Sequence, residues 1–463
     1  MSFKSGFVRR AIFWRNLVGA YCVGLDRFAP VKVVACSDHG VEQDAIREET
    51  GIRFYALEEY TRERLAPIGH QHETEGESAL IRVLHKLPKD TYAIASPVPS
   101  RMLSEFIEET GFVSASAPYK IADWLSEKCN WFTGLDHLKL PRLPGRWMHL
   151  RGSSWQELRH EFGETFVAQL SRGVSGSGTA VIGSEAEYAA ALKRLGDDSV
   201  WVAPFKPGPS IAINAVAFET GTAVGYPSVQ IVGRQECNAL PGSYCGNDYA
   251  ATAALPRPLL NEIQEQTERI GEWMASLGFR GIFGLDFVMD EDMHRAYAID
   301  LNPRWLGSTA LFAQAEEAAG RTPLAALDLA GRLGALSEAE ALEIGAECRK
   351  PVKGSQLILY SGAEFREISE TPRAGVCGID DADVEFLREG IRLGDCANDN
   401  EFLLTCGVPR AGLKIEPRSH LFRIYSHRAV LDERGDLLPW CRDAIRYSYW
   451  LVERKSVAIS TQS

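Results

Sequence analysis

The sequence has little that would place the chain in a membrane, a secretory compartment or a nucleic-acid complex. Its apolar runs, such as the one around Val202 to Phe205, fall well short of the ~20 residues that a spanning helix needs. The N-terminal segment MSFKSGFVRRAIFWRNLVGAYCVGL has arginines inside its apolar stretch and no clear small-residue cleavage site, so it does not read as a secretory signal. There is no basic stripe. With 62 acidic against 50 basic residues the formal net charge is −12, which disfavours general binding to nucleic acid or anionic lipid. Ten cysteines are present, but no C-x-x-C pair and no His/Cys cluster, which argues against a disulfide framework or a structural zinc. Also missing are G-x-G-x-x-G after a strand and G-x-x-x-x-G-K-[ST], so a dinucleotide fingerprint is unsupported and a P-loop is excluded. A cytoplasmic protein with neither nucleic acid nor membrane as partner is expected.

What is there reads as an ordinary globular chain, 45% hydrophobic and 24% charged. At 463 residues it is too long for one core and suggests roughly two to four units at ~100–200 residues each. Residues 1–120 alternate strand and helix: VKVVACSD (31–38) and TYAIASPVP (91–99) predict short buried strands, and DAIREETG (44–51) a helix closed by Gly51. This predicts a small α/β unit with a parallel sheet, Rossmann-like in fold. Residues 121–338 bring longer strands, a glycine-rich loop and the amphipathic helix PLLNEIQEQTERIGEWMASLG (258–278). Residues 339–463 are dominated by short strands such as GSQLILYSG, FLLTCGV and SHLFRIYSHRAVLD, and predict a β-rich cap.

Two segments carry chemistry. GLDFVMDEDMHRAYAIDLNP reads as a hairpin around the turn DEDMH (290–294). Pairing Met289 with Arg295 sets Asp286 opposite Ala298 and puts Asp286, Asp300 and Asn302 on one face, with Leu285, Phe287, Ile299 and Leu301 turned to the core. Two carboxylates and an amide oxygen, with no soft ligand among them, suit a hard cation such as Mg²⁺, with Mn²⁺ as a substitute. The second segment, FVAQLSRGVSGSGTAVI (166–182), is two strand-like runs joined by a loop in which Gly173, Gly176 and Gly178 alternate with Ser175, Ser177 and Thr179. Its small residues, hydroxyls and backbone N–H groups suit the cover of a polyphosphate. Taken alone, the hairpin reads equally well as an exposed polar face, and the loop has a flexible hairpin connection as its lesser alternative.

Together, and in this order along the chain, these elements resemble the ATP-grasp superfamily over about residues 20–335. The resemblance implies an α/β and α+β chain: an N-terminal Rossmann-like domain (1–120), an ATP-grasp domain (121–338) with a lid at about 150–205, and the C-terminal β-rich domain (339–463). It implies ATP and Mg²⁺ as cofactors. Lys128, in IADWLSEKCNWFTGL, is matched to the lysine that contacts ATP phosphate, and Ser175, Gly176, Ser177, Gly178 and Thr179 to the covering loop. Ala203, Pro204 and Phe205 are matched to the linker whose backbone reads adenine. Asp286, Asp300 and Asn302 are the implied metal ligands. Arg304 is matched to the residue that reaches the acyl phosphate or substrate carboxylate, with Gly307 and Ser308 beside it at the reacting edge. Three positions depart from the pattern: Gln169 replaces a phosphate-binding lysine, Ser210 stands where an acid often contacts ribose, and Asp286 is paired with Asp300 where glutamate is commoner.

Members of this superfamily typically activate a carboxylate as an acyl phosphate and pass it to an amine. Within it, "NPRWLGS" and the β-rich C-terminus look most like L-amino-acid ligases, which implies a ligase acting on small molecules, amino acids among them, to form an amide or peptide bond. A homodimer is compatible with this. Residues 226–249 would line the amino-acid pocket, with Cys237 and Cys245 as incidental thiols. The rival readings are a carboxylating enzyme of the biotin-carboxylase type, although no Met-Lys-Met motif occurs, and a non-catalytic nucleotide-binding protein, which Gln169 and Ser210 favour.

Overall fold

Strands Val31–Cys36 and Tyr92–Ala95, the short apolar runs expected near the N-terminus, flank Arg10–Asn16 in a five-stranded sheet whose pairings are all parallel. The helix between two of these strands, Glu42–Thr50, stops where Gly51 turns left-handed at φ 70°. A later helix, Arg101–Thr110, starts where the Ser100 hydroxyl accepts from the Leu103 N–H at 3.2 Å. This computed structural model describes residues 9–16, 19–64, 81–173, 178–290, 292–380 and 383–458.

A second unit is local in sequence. Strands Arg146–His149, Ser199–Pro204, Phe166–Leu170 and Thr179–Ile182 form a four-stranded antiparallel sheet in that order. Helices Trp155–Phe162 and Glu185–Leu195 cover it, and a separate core of Trp155, Phe162, Phe166 and Tyr188 holds it together.

The largest sheet has eleven strands, and the pairings along it are antiparallel. It begins with Ala296–Asn302 and Gly281–Met289, passes through Ile211–Ala217, Ser228–Val232 and Tyr244–Asp248, and continues into Ser355–Tyr360 and His420–Ser426. Most of the C-terminal strands therefore extend the central sheet, while Arg366–Ile368, Lys414–Ile415 and Ser456–Ala458 join Glu63–Arg64 in a small separate sheet. Helix Arg257–Ser276 packs on it through Leu260, Ile263, Ile270 and Met274, the expected apolar stripe, and Gln266 Nε2 pins it to Ala296 O at 3.0 Å. Near the C-terminus lies a helix, Pro439–Glu453, that the strand-rich reading of this region did not foresee. Among the described residues, no helix is long and apolar enough to cross a membrane.

Candidate active site

The hairpin of Gly281–Met289 and Ala296–Asn302 forms where the alternating pattern placed it, but in a different register. Met289 pairs with Ala296, not Arg295, and Phe287 with Ala298. A bulge then leaves Ile299 without a partner, so that Asp300 stands directly opposite Asp286, and Leu301 opposite Leu285. Counting back from the turn without the bulge would set Ile299 against Asp286 and turn Asp300 to the other face. The bulge thus restores the shared face that the sequence suggested, by a route it did not. Asn302 joins that face, its Nδ2 lying 3.4 Å from Asp286 Oδ2 and 3.5 Å from Asp300 Oδ2. Leu285, Phe287 and Leu301 are buried in the core on the other side, and Ile299 packs partly against it.

Two facing carboxylates repel, and burial adds to the cost of charging them. Burial first, and the charge of Asp300 second, push the Asp286 carboxyl up to about 7. Lys128 answers the charge of Asp300. As the first residue of helix Lys128–Leu138 it is buried, and its ammonium donates to Asp300 Oδ1 while its backbone N–H donates to Ser171 O at 2.9 Å. Lys128 therefore rests on a carboxylate expected to hold metal. Arg304 Nη2 donates to Asn302 Oδ1 at 2.9 Å, and Nη1 to Trp305 O at 3.0 Å.

Sequence reasoning missed Gln230. Its Nε2 donates to Asp286 Oδ1 at 2.7 Å, and its Oε1 accepts from Ser210 Oγ at 2.9 Å. Ser210, matched to a ribose contact, is thus tied through Gln230 to the acid pair. The only available signal was alternation within Ser228–Val232, which does not say which neighbour a glutamine meets.

The hairpin of Phe166–Leu170 and Thr179–Ile182 adjoins this edge through Ser171, whose carbonyl accepts from the Lys128 N–H. Gln169 Nε2 donates to Thr179 Oγ1 at 3.2 Å, so these two residues expected at the nucleotide bridge the base of the glycine-rich loop. Gly178 closes the ladder, its carbonyl accepting from Leu170 N at 2.9 Å. Ser175, Gly176 and Ser177 lie outside the described residues. Below the loop, Arg172 donates to Glu127 Oε1 at 2.8 Å and to Asp123 Oδ1 at 2.7 Å, fastening the lid to the segment that carries Lys128. Ala203 pairs with Val167 and Pro204 with Phe166, while Phe205, 40% exposed, donates its N–H to Thr165 O at 3.1 Å. The neighbouring strand pairs only up to Val202, which leaves the other backbone edge of Ala203 and Pro204 outside that ladder.

Ser308 is not brought to the reacting edge as expected. It is 1% exposed, its hydroxyl accepts from Asn214 Nδ2 at 3.1 Å, and Thr309 donates to Asn214 Oδ1 at 2.6 Å, so it belongs to the packing beneath the turn. Gly307 is required by shape, since a Cβ there would lie 2.4 Å from the Tyr244 ring.

Among the described residues no group of three or more His, Cys, Asp or Glu could hold a metal. The set at the hairpin is two carboxylates and one amide, all oxygen donors, and suits a hard cation that keeps part of its water. For Asn302 to take part, its amide would turn so that Oδ1 leaves Arg304 and faces the acids.

No protein-family model and no curated protein matches the sequence. Solved structures do match in shape. An Aspergillus clavatus carboxyaminoimidazole ribonucleotide synthase, solved with ATP, aligns over 96% of this chain and 99% of its own at 13% identity, with a TM-score of 0.55. A Campylobacter jejuni biotin carboxylase, in a β-γ-ATP complex, aligns over 97% of this chain and 92% of its own at 11% identity and TM-score 0.58. Rhizobium etli pyruvate carboxylase aligns over 98% of this chain but only 40% of its own, at 14% identity and TM-score 0.59. At such identities the likeness is one of fold, and the fold of this chain is the ATP-grasp fold.

Proposed function

We propose that the chain is an ATP-dependent ligase that activates a carboxylate as an acyl phosphate and joins it to an amine, with amino acids or small acids as substrates. The observation that carries this reading is the facing pair Asp286 and Asp300, with Asn302 and Arg304 on the same edge and the lid hairpin fastened over it. Asp286, Asp300 and Asn302 would hold Mg²⁺ bound with ATP, which supplies charge neutralisation at the phosphates. With Mg²⁺ held there, the Lys128 ammonium, which donates to Asp300, would be available to phosphate oxygens. Gln169 and Thr179 position the loop that covers the phosphates and keeps water out. The backbone at Ala203 and Pro204, beyond the end of the Arg146–His149 ladder, is where adenine would be read. Arg304 offers a planar fork to the substrate carboxylate and its acyl phosphate. The test is ADP release from ATP over pairs of amino acids, with the amide product identified by mass.

A second reading, a carboxylating enzyme, draws support from the biotin carboxylase and carboxyaminoimidazole ribonucleotide synthase folds named above. It predicts ADP release that depends on bicarbonate rather than on an added amine. ATP binding without turnover under either condition would leave a nucleotide-binding protein.

A further inference from the structure

Three arginines are buried among the described residues: Arg64, Arg392 and Arg423. Arg64 is paired with Glu58 at 2.8 Å, and Arg392 with Asp26 and Glu49 at 2.6 and 2.8 Å. Arg423 differs. It is 4% exposed, and every hydrogen-bond partner it has is neutral. Its Nη1 donates to Gly307 O at 2.8 Å and to Gln356 Oε1 at 2.7 Å, and its Nη2 to the Tyr21 hydroxyl. Its guanidinium also stacks over the Tyr21 ring, 5.0 Å from the centroid.

A guanidinium has five N–H donors. Three are spent here, and Nε has no acceptor at all. Nη2 has one hydrogen to spare. Nε and Nη2 share one edge of the fork, the edge on which a carboxylate or phosphate sits with two parallel hydrogen bonds. A buried cation with no acid bonded to it is costly, and a bound anion would offset that cost.

The position ties this arginine to the site. Gly307, whose carbonyl takes Arg423 Nη1, lies three residues beyond Arg304 in the same turn, and Tyr21 feels the charge of both arginines. Gln356 Nε2 donates to Gly307 O at 3.0 Å and to the Tyr244 hydroxyl at 2.7 Å. Tyr244 and Gly307 are partly exposed, so the cluster reaches the surface beside Arg304.

We infer that Arg423, with Tyr21, forms a second oxyanion subsite, which binds a carboxylate or phosphate of the substrate other than the carboxylate that reacts. The inference rests on the ligase reading for the role of Arg304, and it narrows the substrates to those with a further anionic group.

The wild-type protein is titrated with succinate and, separately, with inorganic phosphate, at matched ionic strength against chloride, and followed by thermal denaturation. At least one oxyanion should raise the midpoint saturably; succinate alone points to a carboxylate and phosphate alone to a phosphorylated substrate. Arg423→Gln should weaken that binding at least tenfold, and Arg423→Lys, which keeps charge but loses the fork, by less. A crystal structure of the wild type with the effective oxyanion, which does not depend on the variants folding, should place it on Nε and Nη2 of Arg423. Absence of any saturable effect, or an anion bound elsewhere, overturns the subsite. Titration with Mg-ATP is the separate test of the ligase reading: oxyanion binding without nucleotide binding would remove that reading and leave the subsite standing.

Discussion

Asp286 faces Asp300 directly across the hairpin, brought there by one unpaired residue, Ile299. Both carboxylates, with Asn302, look away from the core, so their removal should cost function rather than fold. Asp300→Asn and Asn302→Ala are each expected to abolish Mg²⁺-dependent turnover while leaving the thermal midpoint within a few degrees. Wild-type turnover in either variant at ordinary Mg²⁺ would remove these residues from the metal site.

Lys128 and Gln169 differ in what they offer a phosphate. A charge-assisted hydrogen bond is worth ~1.5–3 kcal/mol and a neutral one ~0.5–1.5 kcal/mol. At the midpoints, Lys128→Ala should lower kcat/KM about eightfold more than Gln169→Ala. Gln169→Lys, which adds a cation where Thr179 is now the partner, should be tolerated or tighten ATP. A silent Lys128→Ala beside an inactive Gln169→Ala would reverse the assignment.

The fastening of the lid is exposed and therefore modest in strength. Arg172 is 46% exposed, with Asp123 and Glu127 at 39% and 32%, and such pairs contribute ~0–1 kcal/mol. Arg172→Ala should raise KM for ATP by about two- to fivefold, with the fold unchanged. An unchanged KM would mean that closure does not use this pair.

Glu316 makes stability depend on pH. Burial pushes its carboxyl up from the usual carboxylate range to about 8, with one oxygen accepting from Leu324 N at 2.9 Å and the other unpartnered. Because the folded state holds the proton more tightly than the unfolded chain, its contribution is complete below about pH 4 and is lost as pH rises through about 8. Glu316→Gln should therefore gain about 1 kcal/mol or more relative to wild type at pH 9 and flatten the profile between pH 5 and 9. Denaturant titrations across that range measure it.

Much of this was legible because the signals were local. The parallel N-terminal sheet follows from short apolar runs spaced by a helix with a glycine stop, and the stripe of helix Arg257–Ser276 follows from period alone. The turn read from the sequence, 290–294, is one residue too short: Arg295 belongs to the loop, with Asp290 N donating to Arg295 O, and Asp290 Oδ1 takes the N–H groups of His294 and Arg295. That closure and the bulge at Ile299 are pairing choices that alternation does not determine. Gln230 and Arg423 were out of reach for another reason. Each meets its partners through strands distant in sequence, Gln230 at Asp286 and Arg423 at Tyr21. The burial of Ser308 was missed because a serine after Gly307 reads alike as a site hydroxyl or as packing against Asn214. Helix Pro439–Glu453 begins with a proline in its first turn and buries Ala444, Ile445, Leu451 and Val452, a pattern obscured by the strands before it.

The central claim is that ATP, a carboxylate and an amine react at the edge of Asp286 and Asp300. Phosphate release is measured with ATP and Mg²⁺ across all pairs of amino acids, with bicarbonate present and absent. The account predicts release only when a particular acid and amine are both supplied, in step with an amide product, and its loss in Asp300→Asn. Release that follows bicarbonate and ignores the amine, or no release with any pair, would contradict it.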